Sequence, residues 1–206
     1  LGIVVDQNPN LGLELAGGRV TGVRLGSGTL PAGTVVLALG PWTQHAGRWL
    51  SAFGGPIPVR PLKGQIVRLR APGEPLRAYL SWGKHYASAK PDGLVWAGTT
   101  LERAGFDQRP TAAARDDILG QVVAVLPYLA EAELVQQTAC LRPLTPDALP
   151  IIGRAPGHHN VVVVTGGGRK GVLLGPWMGR AAADLVLGRP CPDVAPFALE
   201  RFAAEQ

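Results

Sequence analysis

The sequence predicts a mixed α/β (α+β) fold, in which an antiparallel sheet is inserted into a unit built of sheet and helices. Three segments lead to this prediction. Residues 35–39 form a short apolar run without alternation, which is typical of a strand covered on both faces. Residues 65–70 alternate between apolar and polar side chains, as in a strand with one wet face. Residues 161–187 have the pattern of a strand, a glycine-rich turn and a helix.

The first 40 residues predict short strands joined by tight turns. Leu13 and Leu15 precede a pair of glycines at 17–18, and a second apolar alternation over 20–25 precedes a Gly-Ser-Gly turn at 26–28. This spacing is typical of a β-meander with hairpin turns. The apolar run over 35–39 then ends at Gly40.

The middle of the chain predicts longer strands and one helix. Residues 79–89 and 94–100 flank Pro91-Asp92-Gly93, which has the chemistry of a hairpin turn. Thr111 is expected to open a helix that Pro127 ends or distorts. The apolar residues of that helix fall on one face: Ile118, Val122, Val125, Leu126 and Leu129.

Composition and charge exclude several classes of protein. The chain has 206 residues, a formal charge of +5 and 46% hydrophobic residues, which excludes collagen-like, disulfide-framework and disordered proteins. The basic residues are scattered, whereas a nucleic-acid-binding protein more often gathers them in one patch, so no nucleic-acid partner is expected. Cys140 and Cys191 lack the spacing of a metal site and are expected to be free thiols.

The sequence also predicts where the protein resides. No run of 18 apolar residues is present, and the first 30 residues lack the layout of a signal peptide, so we expect no membrane span and a cytoplasmic protein. The chain begins at Leu1 and its single methionine is Met178. This indicates either removal of an upstream segment or a piece of a longer protein.

The turn over residues 166–171 satisfies the pattern GxGxxG between a strand and a helix. A dinucleotide fingerprint also needs a further strand with an acidic residue about 20 positions on, which this chain lacks, and Gly171 stands where a phosphate-binding loop needs Ser or Thr. Two interpretations stay open. The helix start with Arg169 and Lys170 forms an anion site, or the glycines only permit close packing.

Arg142 follows a strand-like run and precedes a segment stiffened by three prolines. An arginine on rigid backbone binds a carboxylate through two parallel hydrogen bonds, a geometry that lysine does not reproduce. An ion pair with one of the chain's own acids is the alternative interpretation.

Five segments, in this order, resemble the FAD-dependent D-amino-acid oxidase superfamily, nearest in pattern to glycine and sarcosine oxidases. They are residues 37–42 (LALGPW), 59–65 (VRPLKGQ), 90–100 (KPDGLVWAGTT), 142–153 (RPLTPDALPIIG) and 164–174 (VTGGGRKGVLL). Each motif is a weak signal alone, but five in the same order are a strong one, and the resemblance covers nearly the whole chain.

The resemblance implies roles for individual residues. Arg142 matches the arginine that binds the substrate carboxylate, and Tyr86 matches a tyrosine that lines the substrate pocket. The glycine turn matches the family's GHxRNG segment, which packs against the flavin. The implied FAD-binding residues are Gly40, Gly166, Gly167, Gly168, Arg169, Lys170, Gly171, Val172 and Leu173.

The sequence departs from the family pattern at three places. Gly167 replaces the histidine of the turn, Lys170 replaces its asparagine, and Ala89-Lys90 replaces the Pro-Arg pair before the hairpin. These departures leave the substrate and the electron acceptor open.

The resemblance implies an FAD/NAD(P)-binding-type domain, incomplete at its N-terminus, over residues 1–55 and 145–206, with an inserted antiparallel-sheet substrate domain over 56–144. The implied activity is oxidation of an amine or small amino acid by hydride transfer to flavin N5, giving an imine. The alternative is a non-catalytic fragment or subunit that completes a partner holding the nucleotide-binding half. A nucleic-acid binder, the third hypothesis, rests on charge alone.

Overall fold

The computed structural model describes residues 11–50, 55–73 and 76–205. The chain divides into two compact units, residues 1–60 with 142–206 (unit 1) and residues 61–141 (unit 2). The divisions therefore fall at 60/61 and 141/142, compared with the predicted 55/56 and 144/145. Residues 1–10 and 51–54 of the predicted first segment lie outside the described residues.

Unit 1 begins with the predicted meander. Strands β1 (Gly12–Ala16), β2 (Arg19–Leu25) and β3 (Gly28–Pro31) form one antiparallel sheet in sequence order. Gly17 and Gly18 make the first turn with φ of 57° and 76°, a conformation that hairpin turns need and that glycine adopts without strain.

Strand β4 (Val35–Leu37) follows, and a 3₁₀ helix (Gly40–Trp49) comes after it. Val35 and Leu37 are buried, but Val36 is 42% exposed. The prediction of a strand covered on both faces is therefore wrong at Val36, because the pleat turns this residue to the opposite side.

Unit 2 is built on one five-stranded sheet. Its strands are β5 (Arg60–Arg70), β6 (Tyr79–Trp82), β7 (His85–Ala89), β8 (Val95–Gly98) and β9 (Glu133–Leu144), in the order β6-β7-β8-β5-β9. The hairpin around Pro91-Asp92-Gly93 is confirmed, with Ala89 opposite Val95. The single strand predicted over 79–89 is wrong. It is interrupted by a turn at Gly83, whose φ is 53°.

Helix α1 (Ala112–Val125) covers one face of that sheet. Thr111 caps it by accepting a hydrogen bond from the backbone N–H of Ala114, and the helix ends before Pro127, as predicted. Ile118 and Val122 are buried in the core, whereas Val125 is 46% exposed and lies off the predicted apolar face.

The chain then returns to unit 1 with β10 (Ile151–Ala155), β11 (His158–Thr165) and helix α2 (Gly171–Val186). β10 pairs with β11 antiparallel, and β11 pairs with β4 parallel. The predicted strand, glycine turn and helix are confirmed. Two 3₁₀ helices, Pro192–Phe197 and Leu199–Glu205, complete the described chain. No helix in the described part of the chain is long and apolar enough to cross a membrane.

Asn160 joins the two sheets of unit 1. Its buried side chain accepts a hydrogen bond from Val20 N (3.2 Å) and donates to Val20 O (2.6 Å) and Gly33 O (3.0 Å). These hydrogen bonds attach β2, and the segment that follows β3, to β11. Val20 and Asn160 are 140 residues apart in sequence.

We expect Asn160→Leu to lower the free energy of unfolding by about 3 kcal/mol, because it leaves the buried polar groups of Val20 without partners. The urea midpoint measures this loss. His159→Ala is the matched control, since His159 is the exposed neighbour, and it should change stability by less than about 0.5 kcal/mol. Equal effects of the two substitutions would contradict the role given to Asn160.

Candidate functional site

The carboxyl ends of the parallel strands β4 and β11 meet at one edge of the unit 1 sheet. The hydroxyls of Thr165, at the end of β11, and Thr43 both donate to the carbonyl oxygen of Gly40, at 2.9 and 2.7 Å. Gly40 has a φ of 55°, so glycine suits this position. In sheets with parallel strands, ligands bind outside the carboxyl ends of those strands. The chain therefore places the predicted residue Gly40 beside the predicted glycine turn.

The glycine turn itself has little room for side chains. A Cβ on Gly166, whose φ is 76°, would lie 2.7 Å from Thr145 Cγ2. A Cβ on Gly167 would lie 2.7 Å from the Cα of Gly171. The glycine that replaces the family's histidine at 167 therefore lets this turn close tightly onto the start of α2.

The first turn of α2 is exposed and apolar. Val172 is 97% exposed and Leu173 is 79% exposed, while Arg169 and Lys170 are exposed just before them. The unpaired N–H groups of a helix start carry partial positive charge, and two cations add to it. This combination of exposed apolar side chains and positive charge suits a ligand that is planar, largely apolar and negatively charged at one edge.

These observations fit a flavin. The glycines keep side chains out of the turn, Val172 and Leu173 leave an exposed apolar surface at the start of α2, and Lys170 adds positive charge to the helix start. Of the predicted FAD-binding residues, Gly40 and all of Gly166 to Leu173 lie at this one edge of unit 1.

The two predicted substrate residues lie on strands of different units. Arg142 is half-buried near the end of β9 and belongs to unit 1. Tyr86 is half-buried on β7 in unit 2, where its ring stacks on Tyr79 with 6.0 Å between centroids. Ala87 packs in the core beneath α1, so the alternation of the strand places Tyr86 on the opposite face.

The loop that follows β9 is held by an arginine that the sequence did not single out. Arg201 contacts both carboxylate oxygens of Asp147, at 2.8 and 3.3 Å, and donates to Leu149 O at 3.1 Å. Thr145 donates to the same carbonyl at 2.7 Å. The segment next to Arg142 and Gly166 is thus rigid. Asp147 lies within the predicted segment RPLTPDALPIIG, whereas nothing in the sequence marked Arg201.

Asp147 makes the stability of this loop dependent on pH. The hydrogen bonds from Arg201 hold the pKa of Asp147 below its ordinary value. The stabilisation is therefore present above the unfolded pKa of about 3.9 and is lost as the pH falls through the lower folded value. We expect Asp147→Asn to be less stable than the wild type at pH 6, with the difference shrinking toward pH 2. Urea midpoints across this range check it, and a difference that is independent of pH would contradict it.

The VRPLKGQ motif has a structural task in unit 2. Gln65 is fully buried, accepts a hydrogen bond from Thr111 N at the start of α1 (2.9 Å) and donates to Glu102 (2.9 Å). Lys63, 1% exposed, donates to the carbonyl of Arg109 at 2.7 Å and lies 3.5 Å from Asp107. The motif therefore fixes β5 to the segment that leads into α1.

Residues 2–185 match the protein family described as DAO, FAD dependent oxidoreductase. The chain belongs to this family. The predicted recognition and fold class are confirmed, and FAD is the cofactor by which the family is defined.

Two curated relatives and one solved structure illustrate the similarity within the DAO family. Glycine oxidase from Pseudomonas putida is 38% identical over 184 residues, which cover 89% of this chain and 50% of the relative. A hydrogen cyanide synthase subunit, HcnC, from Pseudomonas protegens is 33% identical over 98% of this chain and 49% of its own length. The crystal structure of iminodiacetate oxidase from Chelativorans sp. is 30% identical, with a TM-score of 0.83 over 93% of this chain and 53% of that chain. The chain spans about half the length of the curated relatives it matches.

Proposed function

We propose that this chain supplies the flavin-ring and substrate side of an FAD-dependent oxidoreductase that oxidises glycine or an N-substituted glycine. The observation that carries the proposal is the glycine turn with its exposed apolar helix start at the carboxyl ends of β4 and β11. Relatives named glycine oxidase and iminodiacetate oxidase support the substrate class. Both substrates have an unbranched carbon between an amine and a carboxylate.

Each of the predicted residues has a part in this function. Arg142 binds the substrate carboxylate through two hydrogen bonds, and the hydroxyl of Tyr86 orients the same group. Val172 and Leu173 contact the flavin ring and exclude water from it. Lys170, Arg169 and the start of α2 stabilise negative charge. In domain terms, residues 1–55 and 145–206 hold the flavin and residues 56–144 hold the substrate.

FAD, held by these residues, would supply the two-electron acceptor for the reaction. The Cα hydrogen of the substrate would leave with its electron pair and the amine nitrogen would lose a proton, so that the substrate becomes an imine. Water then adds to the imine carbon and the amine departs. The chain needs no nucleophile for this reaction. Its residues hold the carboxylate and keep the Cα hydrogen directed at the ring.

Product analysis tests the proposal. The flavin-loaded protein is incubated with N-methylglycine and an electron acceptor, and glyoxylate and methylamine are measured. Both products are expected in equal amounts. Dimethylamine, which lacks the carboxylate, is the matched control and should turn over far more slowly. Absence of glyoxylate with both glycine and N-methylglycine, in the presence of oxygen and of a dye acceptor, would overturn the proposal.

A second candidate function is that of a subunit that works only with a partner chain. The relative named as a hydrogen cyanide synthase subunit favours it. Flavin content and turnover of the protein purified as a single chain distinguish the two candidates. A protein that is active alone keeps both, whereas a subunit regains both only when the partner chain is added. The cytoplasmic location stays a prediction.

A further inference from the structure

The face of the unit 2 sheet that holds Tyr86 also holds a cluster of charged and aromatic residues. Arg68 on β5 and Ser88 on β7 both lie opposite Trp96 on β8. Tyr86 lies two residues from Ser88 on the same strand, so its side chain shares their face. A rise of about 3.4 Å per residue places Trp96 about 7 Å along the strands from the level of Tyr86.

Two cations converge on one indole ring in this cluster. The guanidinium carbon of Arg68 lies 4.1 Å from the centroid of the Trp96 ring, and Lys90 Nζ lies 5.7 Å from it. The ring is fixed in place, since Trp96 Nε1 donates to Asp92 Oδ2 at 3.0 Å. The other carboxylate oxygen of Asp92 accepts from Leu94 N at 3.0 Å. Both oxygens of Asp92 are therefore engaged within the hairpin.

The cluster holds two cations and one carboxylate, that of Asp92, whose pKa is lowered mainly by the hydrogen bond from Leu94 N and also by the charge of Arg68. Among the described residues, neither Arg68 nor Lys90 forms an ion pair, and the Arg68 Nε is buried without a hydrogen-bond partner. Arg70, two residues further along the same strand, differs from Arg68. Its Nε lies 3.0 Å from a carboxylate oxygen of Glu133. Stacking on an aromatic ring holds a guanidinium flat and leaves its N–H edge free to bind an oxyanion.

We propose that Arg68 and Lys90, stacked around Trp96, bind a second carboxylate of the substrate. The inference rests on the proposed function and makes it more specific. The substrate class is an N-substituted glycine whose nitrogen substituent ends in a carboxylate. Tyr86 contacts the reacting end of such a molecule, and the cluster receives its other end on the same sheet face. Arg68 and Lys90 then determine specificity without contacting the reacting atoms.

Binding of sulfur analogues tests this inference without turnover. Thiodiacetate carries two carboxylates, (methylthio)acetate carries one, and neither has an amine to oxidise. Their dissociation constants are measured by equilibrium titration of the flavin-loaded protein. Thiodiacetate is expected to bind more tightly. Arg68→Met should raise its dissociation constant about tenfold, which is the loss of one charge-assisted hydrogen bond, and leave that of (methylthio)acetate unchanged.

Two further variants make the result decisive. Lys90→Met should raise the dissociation constant of thiodiacetate about threefold, and because Lys90 is exposed this variant gives an answer even if Arg68→Met fails to fold. Arg70→Met is the matched control and should change neither constant. Equal binding of the two analogues by the wild type, or equal weakening of both by Lys90→Met, would overturn the inference. N-methylglycine has no second carboxylate, so the same variants should produce glyoxylate from it at an unchanged rate. If the proposed function itself is wrong, the wild type produces no glyoxylate either, which distinguishes the two failures.

Discussion

Arg142→Met is expected to lower kcat/KM for glycine and N-methylglycine by roughly 100- to 10,000-fold. Two charge-assisted hydrogen bonds to the carboxylate are lost together, and each contributes about 1.5 to 3 kcal/mol. Most of the loss should appear in KM, because the carboxylate is bound equally in the ground state and in the transition state. Steady-state kinetics on the flavin-loaded protein measure both parameters.

The controls for this prediction separate carboxylate binding from damage to the fold. Arg142→Lys keeps the charge without the planar fork and should recover part of the loss. The slow turnover of dimethylamine, which has no carboxylate, should be the same in Arg142→Met and in the wild type. If dimethylamine turnover falls as steeply as that of N-methylglycine, the residue supports the structure of β9 and does not bind substrate.

Gly166→Ala is expected to lower the free energy of unfolding by about 3 kcal/mol and to weaken flavin binding. The substitution forces a side chain into a φ of 76°, which costs about 1 to 2 kcal/mol, and places a Cβ 2.7 Å from Thr145 Cγ2, which costs a similar amount. The urea midpoint reports the first effect, and the fraction of flavin retained after gel filtration reports the second.

Glycines of α2 provide matched controls for Gly166. Gly179 is exposed, and a Cβ there meets nothing within 4 Å, so Gly179→Ala should leave flavin binding unchanged and raise stability by up to about 1 kcal/mol. Gly171 also has open space, yet it lies where the flavin ring is proposed to pack. Gly171→Ala should therefore weaken flavin binding without lowering stability. Full flavin retention in both Gly166→Ala and Gly171→Ala would contradict the assignment of the turn.

Local patterns predicted much of the fold correctly. The glycine pair at 17–18, the Pro91-Asp92-Gly93 turn and the Thr111 cap each act on neighbouring residues, so short-range chemistry determines the structure there. The turn at Gly83 was missed because the residues on either side of it have similar strand character. Val36 and Val125 were predicted to be buried but are exposed. The periodicity of apolar residues shows to which side a side chain is directed, but it does not show whether another part of the chain packs against that side.

The residues that organise the site from a distance were not predictable. Arg201 reaches Asp147 across 54 residues, and Asn160 reaches Val20 across 140. Each is a single polar residue in an unremarkable local sequence, and its importance arises from the pairing of distant segments. The glycine turn could be recognised as either an anion site or a packing turn. The close contacts that a Cβ would make at Gly166 and Gly167 agree with the packing interpretation, and the anion site stays a prediction.

Anaerobic reduction of the bound flavin tests the central claim most directly. The flavin-loaded protein is mixed with N-methylglycine in the absence of oxygen, and the visible absorbance of the flavin is followed over time. Complete bleaching is expected in the wild type. In Arg142→Met, the concentration of N-methylglycine that gives half the maximal rate of bleaching should be at least tenfold higher than in the wild type. A flavin that stays oxidised with glycine, N-methylglycine and iminodiacetate alike would contradict the account.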